Sequence, residues 1–184
     1  MVRTVIDTKS GKVMPWAALQ TAGYTLLDTP VDFQKEGHLY GGGLESVTQI
    51  LTAEGFIDTR FFDEYSRTRG SYVHKARHLD DIGELDESTI DPEIAPYLEA
   101  WRRFKLESGF VVEQSEVPMM SSTYKYAGTP DVIGHFPTGT LKRAAVELHD
   151  DGTYKLYPFT DRQDGSLWLS VLAVHNWRKN HGRG

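Results

Sequence analysis

The chain has 184 residues, of which 39% are hydrophobic and 25% charged, and its formal net charge is −6. This composition predicts a single soluble globular domain over residues 1–184. The absence of cysteine excludes disulfides, thiolate zinc sites and cysteine-ligated iron–sulfur clusters. No apolar run approaches the ~20 residues that span a bilayer, and no signal peptide is apparent, so we expect a cytoplasmic protein without a membrane partner. The negative charge argues against a protein that coats nucleic acid, but it allows an enzyme that acts on it.

Residues 1–27 predict a strand, a turn and a helix, because a β-branched run is followed by an apolar helical pattern that starts at Pro15. Asp7 and Lys9 are two apart at the strand end, so their side chains share a face. Gln20 and Tyr24 are four apart on the helix and share a face as well. A carboxylate, an ammonium and a polar pair can form a site that cuts phosphodiester bonds. A surface ion pair would explain the D-x-K triplet equally well.

The next part of the chain predicts a connector and then helices. Residues 28–45 form the connector, in which VDFQ and HLY suggest a short hairpin. Residues 46–109 form a helical region, with Ser46 as a plausible N-cap and an interruption at Gly70. Its helices are predicted over 46–57, 58–83 and 92–109. The last of these presents an aromatic face to the sheet and ends at a glycine: Tyr97, Trp101, Phe104 and Gly109.

Residues 110–184 complete the predicted sheet and end in a helix. The strands are predicted over 110–120, 123–136, 141–150 and 153–159. The final helix, over 166–180, is expected to bury four apolar side chains: Leu167, Val171, Leu172 and Val174. The fold class is therefore α/β, a small mixed sheet of about five strands flanked by helices.

Several segments resemble the RecB-like, phage-type exonuclease branch of the PD-(D/E)xK nuclease superfamily. They are SVTQIL, RGSYVHKA, the YLEAWRRF helix and YAGTPDVIG. In that family a D-x-K strand and a Q-x-x-x-Y helix follow these motifs. Here the similar segments IDTKSG and LQTAGY stand at the N-terminus, so the motif order is rearranged. The resemblance implies a restriction-endonuclease-like core with permuted connectivity, in which strand 2–7 pairs with strand 126–136 and Asp7 lies beside Asp131. Docking of the N-terminal segment on a neighbouring subunit, as in domain swapping, is the alternative.

The resemblance implies a DNA nuclease that uses Mg²⁺ or Mn²⁺, with an exonuclease of phage recombination or repair type as the main hypothesis. The implied metal ligands are His74, Asp131, Asp7 and the backbone carbonyl of Thr8. Lys9 would orient the attacking water and offset charge on the phosphate. Gln20 and Tyr24 would hold the active-site face and contact the DNA backbone. The resemblance also implies a homo-oligomer, a possible single-strand annealing or recombination partner, and a bacterial cytoplasm if the protein comes from a phage.

Basic residues could provide a path for DNA, although acidic residues are interspersed and a solvated face would explain them too. Arg69 and Lys75 flank His74 and are predicted to bind nucleic acid. The full basic set is Arg67, Arg69, Lys75, Arg77, Arg102, Arg103 and Lys105.

The sequence leaves other hypotheses about the function open. The chain could be a catalytically inactive nuclease-like module that binds nucleic acid or protein, or it could be an endonuclease. Glu147 and His149 form an E-x-H pattern after Asp131 and offer a rival catalytic set. Glu113 and Glu116 could add a second metal site, but an exposed strand face is the simpler interpretation.

Overall fold

A computed structural model describes residues 2–34, 39–58 and 63–182. The helices of these residues are α1 (Trp16–Tyr24), α2 (Val47–Ala53), α3 (Glu64–Asp81), α4 (Ala95–Ser108) and α5 (Gln163–His181). The strands are β1 (Thr4–Lys9), β2 (Thr29–Pro30), β3 (Phe33–Gln34), β4 (Leu39–Tyr40), β5 (Val111–Ser115), β6 (Met119–Met120), β7 (Ala127–Gly128), β8 (Val132–His135), β9 (Arg143–Leu148) and β10 (Tyr154–Pro158). Among the described residues, no helix combines the length and the apolar character needed to cross a membrane.

The main sheet has five strands in the order β10-β9-β1-β8-β5. The N-terminal strand β1 lies at its centre, antiparallel to β8 with Ile6 opposite Val132, and parallel to β9 with Asp7 opposite Ala145. The α/β fold class with a mixed five-stranded sheet is therefore confirmed. So is the predicted pairing between the N-terminal strand and the strand that follows Asp131, and this pairing forms within one chain.

Two hydrophobic cores lie on opposite faces of this sheet. Successive β1 residues alternate between them, as the pleat requires. Val5 packs in the core with Trp168 of α5, and Ile6 packs in the other core with Trp101 and Phe104 of α4. The predicted aromatic face of α4 is confirmed, since both of these side chains are fully buried. A strand that is covered on both faces can hold polar side chains only where they have a specific role.

The helix boundaries are set by local capping. Ser46 caps α2, as predicted, and it forms a capping box with Gln49, while Gly109 ends α4 in the left-handed conformation. The predicted start of a helix at residue 58 is wrong, because α3 begins at Glu64; residues 59–62 lie outside the described residues. The predicted interruption at Gly70 is also wrong, since α3 runs through it. A single glycine costs a helix only about 1 kcal/mol, which tertiary packing offsets.

Two long predicted strands are each divided in the structure. The first becomes β5 and β6, because Glu116 takes a positive φ of 52° and Pro118 has no N–H to donate to a ladder. The second becomes β7 and β8, separated at Pro130. Strands β2, β6 and β7 form a separate small sheet. The predicted hairpin in the connector is present as β3 paired with β4, while residues 35–38 lie outside the described residues.

The buried face of α5 differs from the predicted one. Leu167 and Val174 are 48% and 46% exposed, so their predicted burial is wrong, whereas Val171 and Leu172 are buried as expected. Trp168 and His175 take the two remaining buried positions. Both sets have helical spacing. The large indole ring of Trp168 fixes the rotation, because its burial removes the most apolar surface from water.

Gly134 marks the tightest contact between β8 and β5, and replacing it should destabilise the sheet. A Cβ at this position would lie 2.1 Å from the carbonyl oxygen of Val111. We expect Gly134→Ala to lower the free energy of unfolding by about 2 kcal/mol or more, as overpacking does. Urea unfolding measures this, with Gly11→Ala as the control because a Cβ there would meet no atom within 4 Å. Equal stabilities for the two variants would contradict this packing.

Candidate active site

The pairing of β1 with β8 brings two carboxylates together at the end of β1. The Thr8 N–H donates to Asp131 Oδ2 at 2.7 Å, and its hydroxyl donates to the same oxygen at 3.0 Å, although the residues are 123 positions apart in the chain. Asp7 is only 1% exposed, and among the described residues its Oδ2 has no hydrogen-bond partner. Its Oδ1 lies 2.8 Å from Lys9 Nζ, which in turn lies 4.9 Å from the centre of the Trp16 ring.

Asp131 also belongs to a group of three possible metal ligands. His74 of α3, Glu116 at the end of β5 and Asp131 each offer an atom, and these atoms lie within 4.8 Å of one another. The His74 Nδ1 is 3.4 Å from Glu116 Oε1 and 3.6 Å from Asp131 Oδ2. We call these three residues the triad. The structure thus brings together the predicted His74, Asp131 and Asp7, and it adds Glu116.

Arg77 is a buried residue that binds two members of the triad. Its side chain is fully buried, and it donates to Glu116 Oε1 at 2.6 Å and to the Asp131 carbonyl oxygen at 3.0 Å. It also pairs with Asp81 at 2.8 Å, and Asp81 accepts from Trp101 Nε1. A buried guanidinium with this many acceptors is compensated, and its planar group fixes the positions of the groups it binds. Arg77 therefore orients Glu116 and the Asp131 backbone.

The two carboxylates respond to their surroundings in opposite ways. Burial raises the pKa of Asp7 to about 6, and the nearby Asp131 adds to this although Lys9 opposes it. Burial also acts to raise the pKa of Asp131, but His74, Lys9, Arg77 and the Thr8 N–H outweigh it, so the net pKa is lowered. Burial lowers the pKa of His74, but Asp131 and Glu116 reverse this and the net pKa is raised. The site therefore carries concentrated negative charge with too few positive partners for Asp7.

These residues fit a hard divalent cation. Mg²⁺ and Mn²⁺ prefer carboxylate oxygens, and one imidazole is acceptable, particularly for Mn²⁺. Among the described residues, Oδ2 of the buried Asp7 carboxylate has no hydrogen-bond partner, and leaving a buried polar atom without one is costly. A bound cation would supply the missing charge. The implied role of the Thr8 carbonyl as a further ligand stays a prediction.

Gln20 and Tyr24 lie together on α1, as predicted. Gln20 Nε2 donates to the Tyr24 hydroxyl at 2.9 Å, and both side chains are buried. Burial raises the pKa of Tyr24, with a further contribution from Asp131. The Tyr24 ring packs on Gly128, where a Cβ would lie 2.7 Å from the ring, so a side chain at 128 would displace it. The pair supports the site from the α1 side, and its contact with a DNA backbone stays a prediction.

The basic residues differ in their surroundings. Lys75 and Arg67 are exposed and line a cleft of about 1180 Å³ that has His74 and Glu116 in its wall. Arg69 binds the Ser10 carbonyl oxygen at 3.1 Å and lies over the rings of Tyr65 and Tyr97. The remaining basic side chains are bound to acidic partners: Arg77, Arg102, Arg103 and Lys105. A DNA path along these four stays a prediction, and contact with a phosphate there would have to compete with these ion pairs.

Of the rival residues, Glu147 lies on β9 and His149 directly follows this strand, and neither belongs to the triad. Glu147 accepts from the Tyr157 hydroxyl at 2.6 Å, and His149 Nδ1 lies 2.8 Å from the Thr153 hydroxyl. These contacts tie both side chains to the β9–β10 hairpin.

Glu116 is the site residue that the sequence interpretation placed on an exposed strand face. The β5–β8 ladder pairs Ser115 with Val132, so Glu116 follows opposite Asp131, a register that the sequence alone does not give. The positive φ at Glu116 breaks the strand, and its N–H donates to the Asp131 carbonyl at 3.0 Å. Pro118, two residues later, is the one sequence signal that the strand ends there.

No protein-family model matches this chain, and a search of curated proteins finds no similar sequence.

Neutralising Asp7 should stabilise the protein in chelator above about pH 7. A carboxyl whose pKa is raised on folding, here from 3.8 to about 6, makes folding less favourable once it ionises. The penalty is absent below the unfolded pKa, grows between the two values and is complete above the folded pKa. We expect Asp7→Asn to raise the free energy of unfolding by about 2 kcal/mol above pH ~7, and by much less near pH ~4.

Thermal unfolding across this pH range measures the effect, and Asp28→Asn is the control of opposite sign. Hydrogen bonds from Ser122 and Thr29 lower the pKa of Asp28, so its neutralisation should destabilise the protein at neutral pH. A stabilisation of Asp7→Asn that does not change with pH would contradict the burial of an ionised Asp7.

Proposed function

We propose that this protein is a Mg²⁺- or Mn²⁺-dependent nuclease that hydrolyses phosphodiester bonds in DNA, with the PD-(D/E)xK set of groups assembled in a permuted chain order. The observation that carries the proposal is the buried Asp7 carboxylate next to Asp131: it pairs with Lys9 through Oδ1, and its Oδ2 has no hydrogen-bond partner among the described residues. Burial of this carboxylate beside Asp131 raises its pKa and therefore costs the fold stability at neutral pH. A metal site that acts on a phosphate uses closely placed carboxylates of this kind.

The residues that would hold the cation are the triad and Asp7. Three carboxylates and one imidazole supply the oxygen-rich ligand set of a hard divalent cation. When bound, the cation would act as a Lewis acid on the phosphodiester. Arg77 contributes by fixing Glu116 and the Asp131 backbone, and the Thr8 N–H fixes the Asp131 carboxylate.

Lys9 would act on the reacting phosphate itself. Its ammonium is held by Asp7 and lies against the Trp16 ring, so its position is defined. Burial lowers the pKa of Lys9, but Asp7 and Asp131 reverse this and the net pKa is raised, so it stays charged at neutral pH. A positioned ammonium can orient the attacking water and offset the charge that develops on the phosphate oxygens.

The finer parts of the proposal depend on the resemblance. They are exonuclease rather than endonuclease action, a phage-type role in recombination or repair, a homo-oligomer with an annealing or recombination partner, and residence in the bacterial cytoplasm. An inactive module would be expected if the displaced D-x-K strand failed to meet Asp131. The pairing of β1 with β8 supports the enzyme instead.

Digestion of linear double-stranded DNA in Mn²⁺ tests the proposal. We expect wild type to degrade the DNA and Lys9→Ala to lose about 10²–10³-fold in rate, the usual cost of removing one charge-stabilising group. Lys12→Ala is the matched control, because Lys12 is exposed three residues further along the same turn. Equal rates for all three proteins would contradict the role of Lys9. Digestion of closed circular DNA would identify an endonuclease.

A further inference from the structure

A second cavity, of about 390 Å³, adjoins the cleft that contains His74 and Glu116. Phe33, Tyr40 and Thr129 line both spaces, so they form the wall between them. Thr129 also stands two residues before Asp131 in the chain. The volume is at the lower end of the range of about 300–1,000 Å³ typical for small-molecule sites. We call this space the side pocket.

The walls of the side pocket are aromatic and held in place. The rings of Phe33 and Tyr40 have centres 4.7 Å apart and are tilted by 37°. The Tyr40 hydroxyl lies 2.9 Å from the Thr129 hydroxyl, which fixes its ring relative to the Asp131 loop. Tyr24 completes the wall and is held by Gln20. Rings that are already positioned lose little entropy when a flat group stacks on them.

The rest of the side-pocket lining is polar but uncharged. It includes Thr48 and Gln49 on α2, both exposed. The capping box uses the side-chain oxygen of Gln49, and its side-chain nitrogen takes no part in it. Among the described residues that line the pocket there is no lysine, arginine, aspartate or glutamate. The cleft next to it, by contrast, contains both basic and acidic side chains.

The charged cleft and the uncharged side pocket suit the two parts of a nucleotide, the phosphate and the base. A phosphate needs cations, which the metal site and the cleft would provide. A neutral, flat group with hydrogen-bonding edges suits aromatic walls with amide and hydroxyl groups, as bases do when they leave the duplex stack. A base in a duplex cannot enter such a pocket until it is unpaired.

We propose that the side pocket binds one unpaired nucleobase of the strand whose phosphate lies at the triad. This inference rests on the proposed nuclease function and extends it to a substrate class: DNA with a single-stranded end or overhang. Phe33 and Tyr40 provide the stacking surface, and the Thr48 and Gln49 side of the pocket meets the polar edge of the base.

An abasic scan tests the proposal without relying on cleavage. Duplexes with an overhang that lacks one base, at each position in turn, are titrated with protein in Ca²⁺, which takes oxygen ligands like those of Mg²⁺. For wild type, loss of the base at one position should weaken binding about tenfold, the usual worth of one stacked base. In Phe33→Leu this position-specific penalty should fall to near unity, because an apolar side chain remains but the ring is gone.

Two further variants make the result interpretable. Phe56→Leu removes an exposed phenyl ring outside the side pocket and should keep the wild-type penalty. Phe33→Trp restores an aromatic ring and should keep it as well, which separates a lost ring from a damaged hairpin. The penalty is the affinity for the intact overhang divided by the affinity for the overhang that lacks one base, both measured on the same variant. A uniform loss of affinity therefore does not alter it.

The outcomes distinguish this inference from the proposed function. The same penalty in Phe33→Leu and in wild type, or no penalty at any position, would overturn the base pocket while leaving the nuclease proposal in place. Absence of any DNA binding by wild type would overturn the nuclease proposal and the base pocket together.

Discussion

The site depends on one interaction: the pairing of β1 with β8 at the centre of the sheet. This pairing places the Thr8 N–H and hydroxyl on Asp131 and sets Asp7 beside it, from chain segments more than a hundred residues apart. Because β1 is buried on both faces, its polar end cannot be solvated freely. The carboxylates are therefore held in fixed positions in which nearby cationic groups balance their negative charge only in part. This makes the site suited to a cation.

The remaining structure supports that arrangement from two sides. On the α3 and α4 side, Arg77 and the aromatic core hold Glu116 and the Asp131 backbone. On the α1 side, Tyr24 packs against Gly128 just before the Asp131 loop. Both sides use buried polar groups that are satisfied mainly by one another. Such networks fix geometry well but lose much when one member is removed, so stability and site geometry are coupled here.

The sequence predicted the parts of the fold that follow from local pattern. The aromatic spacing of α4 and the Ser46 cap belong to this group, whereas the pairing of the N-terminal strand with the Asp131 strand was expected only from the resemblance. Glu116 was not predicted as a triad member, because a positive φ at a non-glycine residue has no clear sequence signal. Arg77 was expected at the surface, since arginine is rarely buried unless paired. Apart from Asp81 on the same helix, its partners Glu116 and the Asp131 carbonyl come from distant parts of the chain. The rotation of α5 was ambiguous, because two sets of its residues have equivalent spacing.

The central claim is that Asp7, His74, Glu116 and Asp131 share one divalent cation. Paramagnetic broadening by Mn²⁺ in the NMR spectrum of the isotopically labelled protein tests it most directly, because Mn²⁺ broadens signals from nuclei near the ion. The account predicts that the amide signals of residues 7–9, 74, 116 and 131 broaden together at the lowest Mn²⁺ concentrations. Broadening confined to the acidic segment 84–91, with residues 7–9 and 131 unaffected, would contradict it.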